Sequence, residues 1–138
     1  MIHKNRVEDE VSGFLVWHKD RAIIGVNARQ PTNRQGFTIA HEIGHMGLHG
    51  GKNLHIDETF AVKLRNDKSR RGVDTVEMEA NLFADELLMP ADLLTADIRR
   101  MGVLDLHDEQ RIGELAKSYR VCTQAMTIRL QQVANFRD

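Results

Sequence analysis

The sequence predicts an α+β fold: a small antiparallel or mixed sheet packed on one histidine-bearing helix, followed by a mostly helical C-terminal half. Three observations predict it. Two short alternating apolar segments flank a turn near the start of the chain. A helix-period stretch, "FTIAHEIGHMGLHG", then carries three histidines between residues 41 and 49. From Asp74 onward every apolar repeat has helical spacing. The length of 138 residues suits a single domain, residues 1–138, with its strand-rich part at 1–65 and its helical part at 74–138.

The elements follow in order. "SGFLVW" and "AIIGVN" are rich in β-branched and aromatic residues, with "HKDR" between them; they predict a hairpin of Gly13–Trp17 and Ala22–Asn27. "RQPTNRQG" reads as a loop, punctuated by Pro, Asn and Gly. In the histidine-rich helix each residue advances about 100°. With Ala40 at zero, Ile43, Gly44, Gly47 and Leu48 fall within roughly 80°, while His41 and His45 lie at about 100° and 140°. One face is thus small and apolar, and the two histidines share another. A glycine costs a helix about 1 kcal/mol against alanine, so Gly44 and Gly47 predict something packed close to the backbone. The helix is expected to stop at Gly50–Gly51. "ETFAVKLR" alternates like a strand, and "RNDKSRRGVD" reads as an exposed basic loop. "DTVEMEANLFADELLMP" is a helix capped by Asp74 or Thr75 and ended by Pro90, with Val76, Ala80, Phe83 and Leu87 as its buried stripe. Helices over Ala91–Met101, Asp108–Tyr119 and Thr123–Asn135 complete the chain.

Composition narrows the function. The chain is 41% hydrophobic and 28% charged, with a net charge of −1, so no global attraction to nucleic acid or an anionic membrane is expected. No apolar run approaches the roughly 20 residues of a membrane span, and "MIHKNRVEDEVSGF" lacks the apolar core of a secretory signal. Cys122 is the single cysteine, which excludes an internal disulfide and a cysteine-only metal site; a reducing cytoplasm is the expected compartment.

The chemistry sits in His41-Glu42-x-x-His45. Histidines four apart on a helix project side by side, and both can present a ring nitrogen to one zinc ion at about 2.0–2.1 Å. The intervening glutamate projects beside the ion, where it can take a proton from an attacking water and pass it to a leaving amine. The alternative, that these are solvated surface histidines, is weakened by the context of strands before and a glycine stop after.

Zinc needs a third protein ligand. His49, His55 and the acidic residues of the second helix are candidates. His49 follows His45 by four, but three ligands in a row on a straight helix converge poorly, so it reads as a helix-end or supporting residue. On the second helix, with Val76 at zero, Glu79 lies about 60° off the apolar stripe, Glu77 about 100°, and Asp85 on the far side. Glu79 is therefore the carboxylate best placed to lean toward a metal, with Glu86 at a similar angle as a supporting partner. The plain alternative for Glu79 is a charge at a helix start, stabilised by the macrodipole.

"GFTIAHEIGHMGLH" followed by "EANLFADELLMP" resembles the ImmA/IrrE family of metallopeptidases, and "SGFLVW…AIIGVN" and "LAKSYRVCTQAMTIRL" fit the same layout. The resemblance covers about Ser12 to Leu130 and implies a zincin-like minimal protease fold of the gluzincin kind. It implies His41, His45 and Glu79 as zinc ligands and Glu42 as the catalytic base. It also implies a helix-turn-helix transcriptional repressor as substrate, cleaved to relieve repression. Cys122 departs from the serine usual in similar sequences, and cysteine is a poor N-cap. "VCTQAM" has the look of a helix-turn-helix turn, but it is expected to pack the helical half or contact a partner, with no direct nucleic-acid binding. His107 and Tyr119 are possible oxyanion donors. An extended substrate is expected along an edge of the hairpin sheet.

The main rival is a non-catalytic zinc-binding partner protein, toxin–antitoxin-like or repressor-sequestering, whose metal would be closed by a fourth ligand from His49 or His55. A second is a nucleic-acid module built on Lys63, Arg65, Lys68, Arg70 and Arg71; interleaved acids and absent aromatics favour a solvated loop instead.

Overall fold

A computed structural model describes residues 2–5, 11–48, 54–58 and 71–135. Its elements are β1 (Ile2–Asn5), β2 (Val11–His18), β3 (Arg21–Asn27), α1 (Thr32–Leu48), β4 (Leu54–Glu58), α2 (Arg71–Leu88), α3 (Ala91–Met101), α4 (Glu109–Ser118) and α5 (Thr123–Asn135). The fold is α+β, as the sequence predicts. The chain divides into two compact units, residues 1–84 and 85–138. The division falls inside α2, not in the stretch between 65 and 74 where the sequence changes from strand-rich to helical. No described helix is long and apolar enough to cross a membrane.

In the first unit four strands form one mixed sheet in the order β1-β3-β2-β4. The expected hairpin is its centre: β2 and β3 pair antiparallel, Leu15 opposite Ile24 and Gly13 opposite Val26, across a turn with Lys19 at φ 56°. Parallel β1 and antiparallel β4 flank it, so the sheet edges belong to β1 and β4 rather than to the hairpin. Period-2 alternation puts Leu15, Ile24 and Val26 on one face, where Ile39, Ile43 and Met46 of α1 pack against them. A Cβ at Gly13 would stand 2.5 Å from Thr38 Cγ2, so this glycine lets α1 lie close on β2.

Helix α1 begins earlier than the loop reading of "RQPTNRQG" allows. Pro31 carbonyl accepts from Gln35 N–H at 2.9 Å, the first helical bond, and proline's missing donor costs nothing there. A polar knot fastens this end. Gln35 Nε2 donates to Gln30 carbonyl at 2.7 Å, Gln30 Nε2 to Ser12 Oγ at 3.0 Å, and Asn27 Nδ2 to Val11 carbonyl at 2.9 Å. The expected stop at Gly50–Gly51, the strand reading of residues 59–65 and residues 65–70 of the basic loop lie outside the described residues; the rest of that loop, residues 71–74, is already helical, so α2 starts before the expected caps Asp74 and Thr75.

The second unit is helical, and α3 and α5 have the predicted bounds. Met89, Leu94, Ile112, Leu115, Met126 and Leu130 are among its buried core. Asp108 caps α4 by accepting from Arg111 N–H at 3.2 Å. Cys122 caps α5 in spite of its chemistry: its carbonyl accepts from Met126 N–H at 3.1 Å and its Sγ from Ala125 N–H at 3.4 Å. Arg129, buried in α5, donates to Met89 carbonyl at 2.9 Å and pairs with Glu86. Asp85 is buried beside it and accepts from Gln132 at 3.2 Å; burial raises its carboxyl pKa above the ordinary value against the pull of Gln132 and Arg129.

Candidate metal centre

The site is built from α1 and α2. Successive residues of α1 divide its circumference. Ile39, Ile43 and Met46 take the sheet, Gly44 takes α2, and His41 and His45 lie one helical turn apart on the remaining arc. Gly44 matters because of what opposes it. A Cβ there would meet Ala80 Cα and Ala80 O at 3.2 Å and Phe83 Cδ1 at 3.1 Å. The backbones of α1 and α2 therefore approach to a distance that a larger residue would prevent. The expectation of close packing holds at Gly44 and fails at Gly47, which is exposed with nothing within 4 Å of an added Cβ.

The close approach delivers a carboxylate to the histidines. Glu77, one turn before Ala80, stands with Oε2 2.9 Å from His41 Nε2 and Oε1 3.3 Å from His45 Nε2. The two Nε2 atoms are 3.0 Å apart, with the rings edge to face at 79°. His41 and His45 are buried, and Glu42 is wholly so at 0% exposure. His41, His45 and Glu77 each offer one ligand atom within 4.8 Å of the others. In a tetrahedron with bonds of about 2.0–2.1 Å, ligand atoms are about 3.3 Å apart. The two nitrogens 3.0 Å apart, with one Glu77 oxygen 2.9 Å from His41 and the other 3.3 Å from His45, come close to that edge, so the donor types and their spacing suit one first-row divalent ion. Two imidazoles and one carboxylate leave a fourth position for water or substrate.

The other expected residues are placed as follows. Glu79, the carboxylate expected from the sequence, is exposed and stands outside this group. The reason is a rotation of the buried face. Of the expected stripe of Val76, Ala80, Phe83 and Leu87, Ala80 is fully buried, but Leu87 is 52% exposed and Ala84, outside the stripe, is fully buried instead. Glu77, Ala80 and Ala84 lie within about 60° of one another on the wheel, and Glu79 is about 160° from Glu77. The alanines at i+3 and i+7 from Glu77 were the signal: small residues mark where helices meet closely. Glu86 pairs with Arg129 in the second unit, His107 is exposed there, and Tyr119 donates to Asp97 Oδ2 at 2.6 Å. Burial first, then that bond, pushes the Tyr119 hydroxyl up to about 12. His49 lies outside the described residues, and so does the side chain of His55.

Comparison with known proteins places the chain in a family. Residues 1–131 match the peptidase family profile described as the IrrE N-terminal-like domain. An uncharacterized immunity region protein of Bacillus phage phi105 is 32% identical over 59% of this chain and 46% of its own length. Radiation response metalloproteases IrrE of Deinococcus deserti and Deinococcus radiodurans are 34% and 31% identical, over 58% and 72% of this chain. Each match spans 27% of the Deinococcus protein, so the chain covers less than half the length of these relatives.

Proposed function

The chain belongs to the IrrE N-terminal-like domain family, and on that premise we propose that it is a zinc-dependent endopeptidase acting on a protein substrate, a helix-turn-helix transcriptional repressor whose cleavage relieves repression. The observation that carries the reading is the convergence of His41 Nε2, His45 Nε2 and a Glu77 carboxylate oxygen, two of them on the helix that also carries the buried Glu42. Zinc is the ion of choice, since a two-histidine, one-glutamate set with one open position is a catalytic zinc set. The relatives support the regulatory half: one is named for a phage immunity region, two for a radiation response.

Zinc bound there would act as a Lewis acid, polarising the scissile carbonyl and lowering the pKa of an attacking water to about 7. Glu42 does the proton work. It follows His41 directly on α1 and is not one of the three grouped ligand residues. It accepts the proton of the attacking water and delivers it to the departing amine, a role worth about 10²–10⁴-fold in rate. Its complete burial shields the carboxylate from bulk water. An extended substrate adds a strand to an edge of the mixed sheet, with main-chain hydrogen bonds supplying affinity.

Glu42→Gln is the test. The variant should bind zinc as the parent does and release no fragments from a candidate repressor, while the parent cleaves it until a chelator is added. Cleavage by Glu42→Gln at the parent rate removes Glu42 from the mechanism. Tight repressor binding by the zinc-loaded parent without any fragments makes this a sequestering protein instead.

A further inference from the structure

The second unit carries a groove that the peptidase reading does not use. It has a volume of about 570 Å³ and lies between the segment leading into α4 and the first turns of α5. That size is within the range of ligand sites. Ile112, buried in the unit's core, forms part of its lining, with Leu106 and the methyl-bearing Thr127 beside it; Gln124, His107 and Glu109 supply polar groups. Leu106 is 39% exposed, and Ile128, one turn beyond Gln124 on the same face of α5, is 46% exposed.

We infer that this groove is a docking site for a segment of a partner protein in which an apolar side chain neighbours lysine or arginine. The shape alone points elsewhere. Helix α4, a turn with Arg120 at φ 57°, and α5 have the layout of a DNA-binding helix pair. The charges decide against it. The outward face of α5 presents Thr123, Gln124, Thr127, Ile128 and Gln131, none of them charged. No lysine or arginine lines the groove. Arg111 is committed to Met101 and Val103 carbonyls at 2.6 and 2.7 Å, and Arg129 is buried against Met89 and Glu86. Lys117 is eight residues from Glu109 along α4, about 12 Å away, and the exposed Arg120, in the turn before α5, is outnumbered by the carboxylates at the α4 end. Glu109, Asp108 and Asp105 bring three carboxylates to the α4 end of the groove. The two helix N-termini there offset only about half a charge each. The local field is negative: a phosphate backbone is repelled, and a cationic side chain is drawn to Glu109 while its apolar neighbour meets Leu106 and Ile128. The inference does not depend on hydrolysis.

The test is NMR titration of the full ¹⁵N-labelled chain with three probes: a short peptide alternating leucine and lysine, its leucine–glutamate counterpart, and a random-sequence DNA duplex. The leucine–lysine peptide should shift the amides of Leu106, His107, Gln124 and Thr127. Glu109→Lys should weaken it about fivefold to tenfold. Thr127→Arg, which fills the groove from a helix surface, should abolish those shifts while leaving the rest of the spectrum in place. Shifts that map elsewhere, binding that survives both substitutions, equal binding of the acidic peptide or of DNA, or no binding of any probe overturns the inference.

Discussion

Replacing Gly44 with alanine tests how the site is assembled. The added Cβ meets Ala80 Cα and O at 3.2 Å and Phe83 Cδ1 at 3.1 Å, where comfortable contact begins near 3.4 Å. The Phe83 ring can turn away, but Ala80 Cα and O are backbone, so α2 must yield by a few tenths of an ångström. Alanine gains about 1 kcal/mol of helix propensity, against about 1–3 kcal/mol for overpacking. The balance is a loss of up to about 2 kcal/mol. Gly47→Ala is the control: it is exposed and meets nothing within 4 Å, so the same substitution should stabilise by up to about 1 kcal/mol, less because the helix ends one residue later. The two variants should therefore melt roughly 3–10 °C apart, followed by circular dichroism. The same displacement of α2 carries Glu77 away from the histidines. Zinc affinity, read by competition with a chromophoric chelator, should fall about tenfold in Gly44→Ala, the size of effect that disturbed ligand support has elsewhere, and stay unchanged in Gly47→Ala. If Gly44→Ala melts with Gly47→Ala and holds zinc like the parent, the close approach of α1 and α2 is not what assembles the site.

The ligand assignment separates two glutamates two residues apart. Glu77→Gln should lower zinc affinity by more than the roughly 10–100-fold typical of outer contacts, and Glu79→Gln should leave it within twofold or so; isothermal titration of both reads the difference, and the reverse pattern would return the metal to Glu79. Tyr119→Phe should cost about 1 kcal/mol at neutral pH by removing a partly exposed hydrogen bond to the Asp97 carboxylate. Because folding raises the Tyr119 pKa from 10.0 to about 12, its contribution is complete below pH 10 and lost as pH climbs toward 12. Urea unfolding at neutral pH and at pH 11 should show the parent's advantage over the phenylalanine variant shrinking at the higher pH; a constant gap would contradict it.

Local chemistry made much of this protein legible in one dimension. Alternation with an intervening turn marked the β2–β3 hairpin, and Pro90, Asp108 and the apolar spacing marked the C-terminal helices nearly to the residue. His41, Glu42 and His45 could be read because their relation is set within one turn of one helix, at fixed covalent spacing. Pro31 reads as loop punctuation in the sequence because proline suits both a turn and a helix start, and only the bond from Gln35 N–H tells them apart.

The third carboxylate is a different kind of fact. Which face of α2 is buried depends on what lies against it, and hydrophobic weight along the helix points about 50° away. The deciding contact is between a glycine of α1 and the alanine backbone of α2, residues 36 positions apart. Sequence alone determined that two imidazoles and a base would share a helix, because helical geometry is local. Tertiary packing alone decided that Glu77 rather than Glu79 meets them, because the rotation of a helix about its axis is set by the neighbour it can approach most closely.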